Sequence, residues 1–280
     1  MSKNKNSKNH KGIYLPMQVR VLDVIDLTSD TKLYRLEKPK GFFYNPGQFL
    51  MASVWGAGEV PISVTSTSEL HDDIELCVRK VGAVTSAIHE LKPGDYIGIR
   101  GPLGNGFHFE EAYGKDILFV AGGIGIAPLR SLINLVMNQK KKFGKTSLVY
   151  GSRNPAEVLF VPEIIKWKAE GMDAIVTVDV KNEECEYCTG IVTEHLARQK
   201  ISFKTGHSYI CGPHVMIKSV MRDLSLMGMP PDNIITTMEA HMKCGVGKCG
   251  HCYADGRYIC TDGPVFSYKA IKKYNLNNNP

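Results

Sequence analysis

Ile117-Leu118-Phe119-Val120-Ala121-Gly122-Gly123-Ile124-Gly125-Ile126-Ala127-Pro128 is the stretch on which the reading of this 280-residue chain turns. Its first five residues form the apolar run that a buried strand needs, and the glycines that follow turn the chain directly into a helix. Pro128 falls in the first helical turn, where a missing N–H breaks no helix bond, and Leu129, Leu132, Ile133, Val136 and Met137 make one apolar face. Strand, glycine turn and helix together bring a pyrophosphate against the free N–H groups of a helix N-terminus. Downstream the rhythm repeats, with strands predicted at 147–151, 174–179, 208–211 and 234–238 and helices at 161–170, 191–199 and 215–227. This alternation predicts a parallel sheet covered on both faces, whose ligand crevice lies beyond the strand C-terminal ends. Gly122, Gly123 and Gly125, then Gly151-Ser152-Arg153, then Cys211-Gly212-Pro213 all fall at such ends and are expected to line one mouth.

Upstream the texture is different. Short alternating or β-branched runs at 19–26, 32–37, 48–54, 74–79 and 96–100, punctuated by Pro46-Gly47 and Pro93-Gly94, predict a small antiparallel β-barrel. Among them Val81-Gly82-Ala83-Val84-Thr85-Ser86 leads into Ala87, Ile88 and Leu91 at helical spacing. A glycine turn before a Thr- or Ser-capped helix either holds an anion or simply starts a connecting helix, and both readings stand on this segment alone.

The last forty residues carry the most specific signal. Cys244, Cys249, Cys252 and Cys260 are spaced C-x4-C-x2-C-x7-C, three thiols from one loop and a fourth from further on, which is the plant-type arrangement for a [2Fe-2S] cluster. Gly245, Gly247 and Gly250 let the backbone fold closely around such a centre and aim N–H groups at its sulfurs. A structural zinc site is the alternative, although zinc sites favour two separate, tightly closed cysteine pairs. Cys185 and Cys188 form a second pair that cannot complete a cluster alone; an exposed thiol pair and a redox or metal role both remain open.

Composition narrows the rest. The net charge of +6 sits partly in the Lys- and Asn-rich tail and in Lys140 to Lys142, which gives little support to nucleic-acid binding. The run from 117 to 129 is too short and too glycine-broken to span a bilayer, and the tail has no apolar core of a signal peptide, so a cytoplasmic protein is expected. The expected organisation is a disordered tail at 1–12, a barrel at 13–112, an α/β domain at 113–236 and a small iron-sulfur domain with its own tail at 237–280.

With Gly58-Glu59-Val60-Pro61-Ile62-Ser63, Gly101-Pro102-Leu103-Gly104-Asn105-Gly106-Phe107, the glycine turn at 122–128 and Met242-Lys243-Cys244-Gly245-Val246-Gly247-Lys248-Cys249-Gly250-His251-Cys252, the chain resembles the ferredoxin-NADP reductase-like flavoproteins that carry a C-terminal [2Fe-2S] domain. Within them it is similar to the gamma subunits of sulfhydrogenases and the flavoprotein subunits of anaerobic sulfite reductases, and more distantly to the electron-transfer subunit of dihydroorotate dehydrogenase. The resemblance implies FAD on the barrel, with Val60, Pro61, Ile62 and Ser63 against the flavin and Val78, Arg79, Lys80, Gly82, Val84 and Thr85 along its ribityl-diphosphate arm. It implies NAD(P)H at Gly122, Gly123, Gly125, Ala127 and Pro128, with Gly151, Ser152 and Arg153 at the nucleotide and Cys211, Gly212 and Pro213 near the nicotinamide. Much of the family has Arg where this chain has Val60, and Arg79 is the expected replacement cation. Cys211 and Glu239 are the candidate catalytic side chains, and Cys244, Cys249, Cys252 and Cys260 the metal ligands. A flavin can take a hydride and release single electrons, so the expected activity is electron transfer between NAD(P)H and a partner redox subunit such as a hydrogenase, sulfite reductase or heterodisulfide-reductase-like protein. Lys243, Lys248 and His251 would form a basic rim for docking, or are merely solvated. A stand-alone reductase and a zinc-stabilised interaction module are the alternatives.

Overall fold

The computed structural model describes residues 12–181 and 185–274. The disordered tail expected at 1–12 therefore lies, apart from Gly12, outside the described residues. Residues 275–280 do as well.

The N-terminal half is built from β1 (Met17–Asp26), β2 (Thr31–Glu37), β3 (Phe49–Val54), β4 (Gly58–Ser63), β5 (Asp73–Arg79), α1 (Ala83–His89) and β6 (Tyr96–Leu103). The strands pair antiparallel in the order β4-β3-β6-β1-β2-β5, and a bridge from Val64 to Leu76 joins the two ends into a barrel. Alternation sets its inside: Val19, Val21, Tyr34, Leu36, Leu50, Ile74, Leu76, Ile97 and Ile99 are buried together. β4 escapes a sequence reading because it is an end strand that carries Gly58 and Pro61, both poor strand signals.

The second half follows with β7 (Ile117–Gly122), α2 (Ile126–Asn138), β8 (Thr146–Ser152), α3 (Val161–Ala169), β9 (Asp173–Val178), β10 (Cys188–Thr189), β11 (His207–Cys211), α4 (His214–Leu226) and β12 (Ile234–Thr237). β10, β9, β8, β7, β11 and β12 lie side by side in that order, all parallel. The α-helix expected at 191–199 is instead a 3-10 segment over Val192–Arg198. It opens on Ile191, Val192 and Thr193, three β-branched residues that lose side-chain freedom in an α-helix.

The C-terminal region comprises β13 (Tyr253–Ala254), β14 (Arg257–Tyr258), α5 (Ile259–Asp262), β15 (Val265–Ser267) and α6 (Tyr268–Lys273). It is not the self-standing unit that the cysteine block suggests. β15 extends the parallel sheet antiparallel beside β12, and Cys252 and Cys260 share a buried core with Phe49 and Met51 of the barrel and Leu118 of β7. Asn105, just past β6, clamps the region further. Its Nδ2 donates to Val265 O, its Oδ1 accepts from Val265 N–H, both at 2.9 Å, and its own N–H donates to Gly263 O at 2.6 Å.

Arg130 of α2 joins barrel to sheet. It is buried, pairs with Glu75 of β5, and makes a two-pronged pair with Glu163 of α3 at 2.5 and 2.7 Å. Removing one member of such a group strands the remaining charge in low dielectric. Arg130→Met should therefore lower unfolding stability by about 3 kcal/mol, read as a fall in the denaturant midpoint. The double variant Arg130→Met/Glu75→Met should recover part of the loss.

Candidate functional site

Three strand ends meet over the sheet. The turn after β7, the end of β8 and the turn after β11 line a cleft of about 520 Å³, through Gly122, Gly123, Gly125, Gly151, Ser152, Arg153, Gly212 and Pro213, with Arg79 reaching in from the barrel. The two decisive glycines act differently. A Cβ on Gly125 would sit 2.6 Å from the Gly212 amide nitrogen, so this position is closed by its packing against the turn after β11. Gly123 has φ +53° and nothing within 4 Å of where its Cβ would stand, so a side chain there would enter the open cleft. Ser152 is buried with an Oγ that has no partner, and a buried hydroxyl in a ligand-sized cleft wants one. A nucleotide fits this mouth: free amides at the glycine turn, an unsatisfied hydroxyl, and two guanidinium groups for anionic oxygens.

A second cleft of about 680 Å³ opens between barrel and C-terminal region. Glu59, Val60 and Pro61 of β4 form one wall, and the segment from Thr236 to Lys243 forms the other. β4 is an end strand, so part of its backbone polar groups face outward without a ladder partner. An apolar slot with such an edge suits a flat ring with a polar rim, as a flavin has. The two clefts share Gly212 and Glu239. Glu239 is open to this shared mouth and hemmed by protein elsewhere, and the loss of water raises its carboxyl above the usual carboxylate range.

Several expected contacts are corrected by burial. Cys211 lines neither cleft: it is 1% exposed, accepts from Thr237 Oγ1 at 3.2 Å, and burial pushes its thiol up to about 12. It is a neutral, packed group whose backbone sets Gly212 and contacts Gly125. Val78 points into the barrel core, so only its backbone can face a ligand. Thr85 is buried, and its Oγ1 accepts the N–H groups of Val81 and Gly82 at 2.9 Å, so it shapes the turn before α1 rather than meeting an anion. Gly82 is exposed and Val84 half-buried there. Ala127 is buried and Pro128 half-buried beneath the glycine turn. Ile62 and Ser63 are half-buried further along β4, and Lys80 is exposed, 3.9 Å from Glu90. Arg79, the expected replacement cation, has its Nε on Asp30 at 3.0 Å and faces the nucleotide cleft. Glu59 and Val81 lie inside motifs legible in the sequence but carry no role there, while Ile191 to Thr193 and most of the 236–243 wall have no motif of their own.

The cysteine loop begins where that wall ends. The Cys244 Sγ accepts N–H groups from Val246, Lys248 and Cys249 at 3.3 to 3.4 Å, and Cys260 Sγ accepts one from Gly247 at 3.2 Å. N–H groups aimed at sulfur in this way are the contacts that tune an iron-sulfur centre. The four thiols lie within one another's influence, Cys249 beside Cys244, and Cys260 beside Cys252 and within reach of the charge of Cys244. Among the described residues no three His, Cys, Asp or Glu side chains gather at one ion position. Two thiolates for each of two irons is the donor set of a [2Fe-2S] cluster, and the residues present fit it. Cys249 is exposed at the outer end, while Cys252 and Cys260 are buried. Arg100, a lone cation in β6, is the missed residue that anchors the loop: it donates to both oxygens of Glu59 at 2.8 Å, to Ile13 O at 2.9 Å and to Cys244 O at 3.2 Å.

Gly123→Ala should weaken nucleotide binding about tenfold or more, because its methyl enters the cleft, with a melting temperature lowered only by the ~1 kcal/mol that alanine costs in a left-handed backbone. Gly125→Ala should lower the melting temperature further, since the turn after β11 must shift. Calorimetry of unfolding with NAD(P)H titration separates the two. Anaerobically prepared protein should carry iron and acid-labile sulfide in equal amounts, two of each per chain by the cluster's formula, and lose both in Cys252→Ser. Zinc in place of iron would contradict the assignment.

Family models match three consecutive segments: an oxidoreductase FAD-binding domain at 18–108, an oxidoreductase NAD-binding domain at 119–222, and the iron-sulfur cluster binding domain of dihydroorotate dehydrogenase B at 239–272. The chain is 38% identical over 277 residues to sulfhydrogenase 2 subunit gamma of Pyrococcus furiosus, covering 91% of this chain and 96% of that protein. It is 32% identical over 254 residues to a probable dihydroorotate dehydrogenase B (NAD(+)) electron transfer subunit of the same organism, with 91% of each covered. In fold it is similar to the NADH-dependent reduced ferredoxin-NADP oxidoreductase, at TM-score 0.74 and 24% identity over 90% of this chain and 88% of that one. No helix among the described residues is long and apolar enough to cross a membrane. The chain thus belongs to the ferredoxin-NADP reductase-like flavoproteins with a C-terminal [2Fe-2S] region, NAD(P)H-dependent oxidoreductases that carry electrons with FAD and an iron-sulfur cluster.

Proposed function

We propose that this chain is the electron-transfer subunit of a hetero-oligomeric redox complex, working in the cytoplasm between NAD(P)H and a hydrogenase-, sulfite reductase- or heterodisulfide reductase-like partner. The observation that carries this reading is continuity: the nucleotide cleft meets the second cleft at Gly212 and Glu239, and the wall of the second runs without interruption from Thr236 to Lys243, the residue before Cys244. A nicotinamide yields a hydride, an iron-sulfur centre takes single electrons, and a flavin does both. The protein's part is placement. Gly122, Gly123 and Gly125 would hold the pyrophosphate, Ser152 and Arg153 the adenosine end, and Gly212 and Pro213 the nicotinamide end near the shared mouth. Val60 and Pro61, with the backbone of Val78, would hold the flavin, and Arg79 would offer its remaining N–H groups to phosphate oxygens. Cys211 would position Gly212. Glu239 would hold a proton beside the reacting atoms. The curated relatives named above, a sulfhydrogenase gamma subunit and an electron transfer subunit, support a partner on another polypeptide.

Glu239 supplies a pH signature. A carboxyl raised by desolvation stays protonated above the ordinary carboxylate range, so NAD(P)H-driven flavin bleaching should slow as pH climbs through that raised value. Glu239→Gln should flatten this inflection in anaerobic stopped-flow traces. The complex itself is tested by tagging the chain at its native locus and purifying it anaerobically. A fixed-ratio redox subunit is expected, and purification of an active chain alone would favour the stand-alone reductase.

A further inference from the structure

The side of the molecule around Cys249 is more apolar than a solvent-facing surface needs to be. Ile13, Tyr14 and Leu15 are 54%, 50% and 73% exposed, and Trp55 is fully exposed at the tip of the β3–β4 hairpin. They lie on one face. Arg100, which holds Cys244 O, also holds Ile13 O at 2.9 Å, and the Lys248 ammonium lies 5.5 Å over the Tyr14 ring. Pro16 and Ser53 both crowd the position a Cβ would take on Gly98, which brings the segment after Leu15 against β3 two residues before Trp55. The backbone of the 12–15 segment is turned on itself, Leu15 N–H donating to Gly12 O at 2.8 Å. Two lysines, Lys243 and Lys248, are exposed in the cysteine loop beside it, and Glu59 is already paired to Arg100.

We propose that Ile13, Tyr14, Leu15 and Trp55 form the apolar centre, and Lys243 and Lys248 the cationic rim, of a docking face for a redox protein with an acidic-rimmed patch. The inference rests on the electron-transfer reading above and adds where the partner sits and what charge it carries. Exposed aromatics are the usual anchors of a protein interface, and opposite charge at the rim steers encounter. The exposed Cys249 thiol sits beside the lysine that covers Tyr14, so an acceptor seated here would cover the outer end of the cluster loop. A membrane surface would cover that end without accepting electrons. The lysines disfavour a second copy of this chain, which would bring the same charges together.

The test uses the holoprotein with NAD(P)H and three acceptors: acidic cytochrome b5, basic cytochrome c and small ferricyanide. Each NAD(P)H oxidised gives two electrons and one proton, so two molecules of any of these acceptors are reduced. The expected result is a KM for cytochrome b5 well below that for cytochrome c and rising with salt. In Trp55→Ala and in Leu15→Ser the cytochrome b5 KM should rise about tenfold, with ferricyanide turnover unchanged. Equal KM values for the two cytochromes, or variants that leave the cytochrome b5 KM unmoved, overturn the proposal. Binding to anionic vesicles that is lost in Trp55→Ala overturns it in favour of a membrane contact. If the unaltered holoprotein fails to reduce even ferricyanide, it is the electron-transfer reading that falls.

Discussion

The buried guanidinium of Arg100 is the interaction on which the arrangement of the site depends. It is 4% exposed and divides its hydrogen bonds among the Glu59 carboxylate on β4, the carbonyl of Ile13 and the carbonyl of Cys244. The two-pronged pair with Glu59 fixes the plane of the guanidinium and raises its affinity for its proton, so the cation persists at any working pH. One side chain thereby ties a wall of the second cleft, the first cluster cysteine and the outward segment at Ile13. Removing it would leave a half-buried carboxylate without a partner and two backbone carbonyls without donors, a combination far costlier than the loss of one surface pair.

The rest of the molecule repeats the same design of shared parts. The sheet needs β15 from beyond the cysteine loop, the barrel needs Arg130 from α2 to neutralise Glu75, and the core around Cys252 and Cys260 draws on β3 and β7. No boundary between the three sequence segments is left as a free hinge among these contacts. Such merging keeps the two clefts in register. The contact of Gly125 with Gly212 sets the nucleotide turn against the strand end that opens into the second cleft, and a small displacement of either would change how two bound groups face each other.

What the sequence disclosed and what it hid follow from range. Five of the six barrel strands, the strand–turn–helix at 117–128 and the four-cysteine loop are local patterns, set by period, glycine placement and spacing, and are legible without partners, whereas β4 with its Gly58 and Pro61 is not. Arg100 is not, because its partners lie 41, 87 and 144 residues away and a single cation in an apolar strand advertises nothing. β10 and β15 have two and three residues, too few to show a period. Local pattern puts Cys211 at a strand end and Thr85 at a helix start, but which way each side chain turns depends on Thr237 and on the Val81 and Gly82 amides. Position along the chain is readable; orientation is a tertiary property.

The central claim is that nicotinamide cleft, flavin cleft and cysteine loop form one conducting unit. An anaerobic titration of the holoprotein with NAD(P)H, followed at once by flavin absorbance and by electron paramagnetic resonance, tests it most directly. The account predicts that the signal of the reduced cluster grows as the flavin band bleaches. Complete bleaching with a cluster that stays silent until dithionite is added would contradict it.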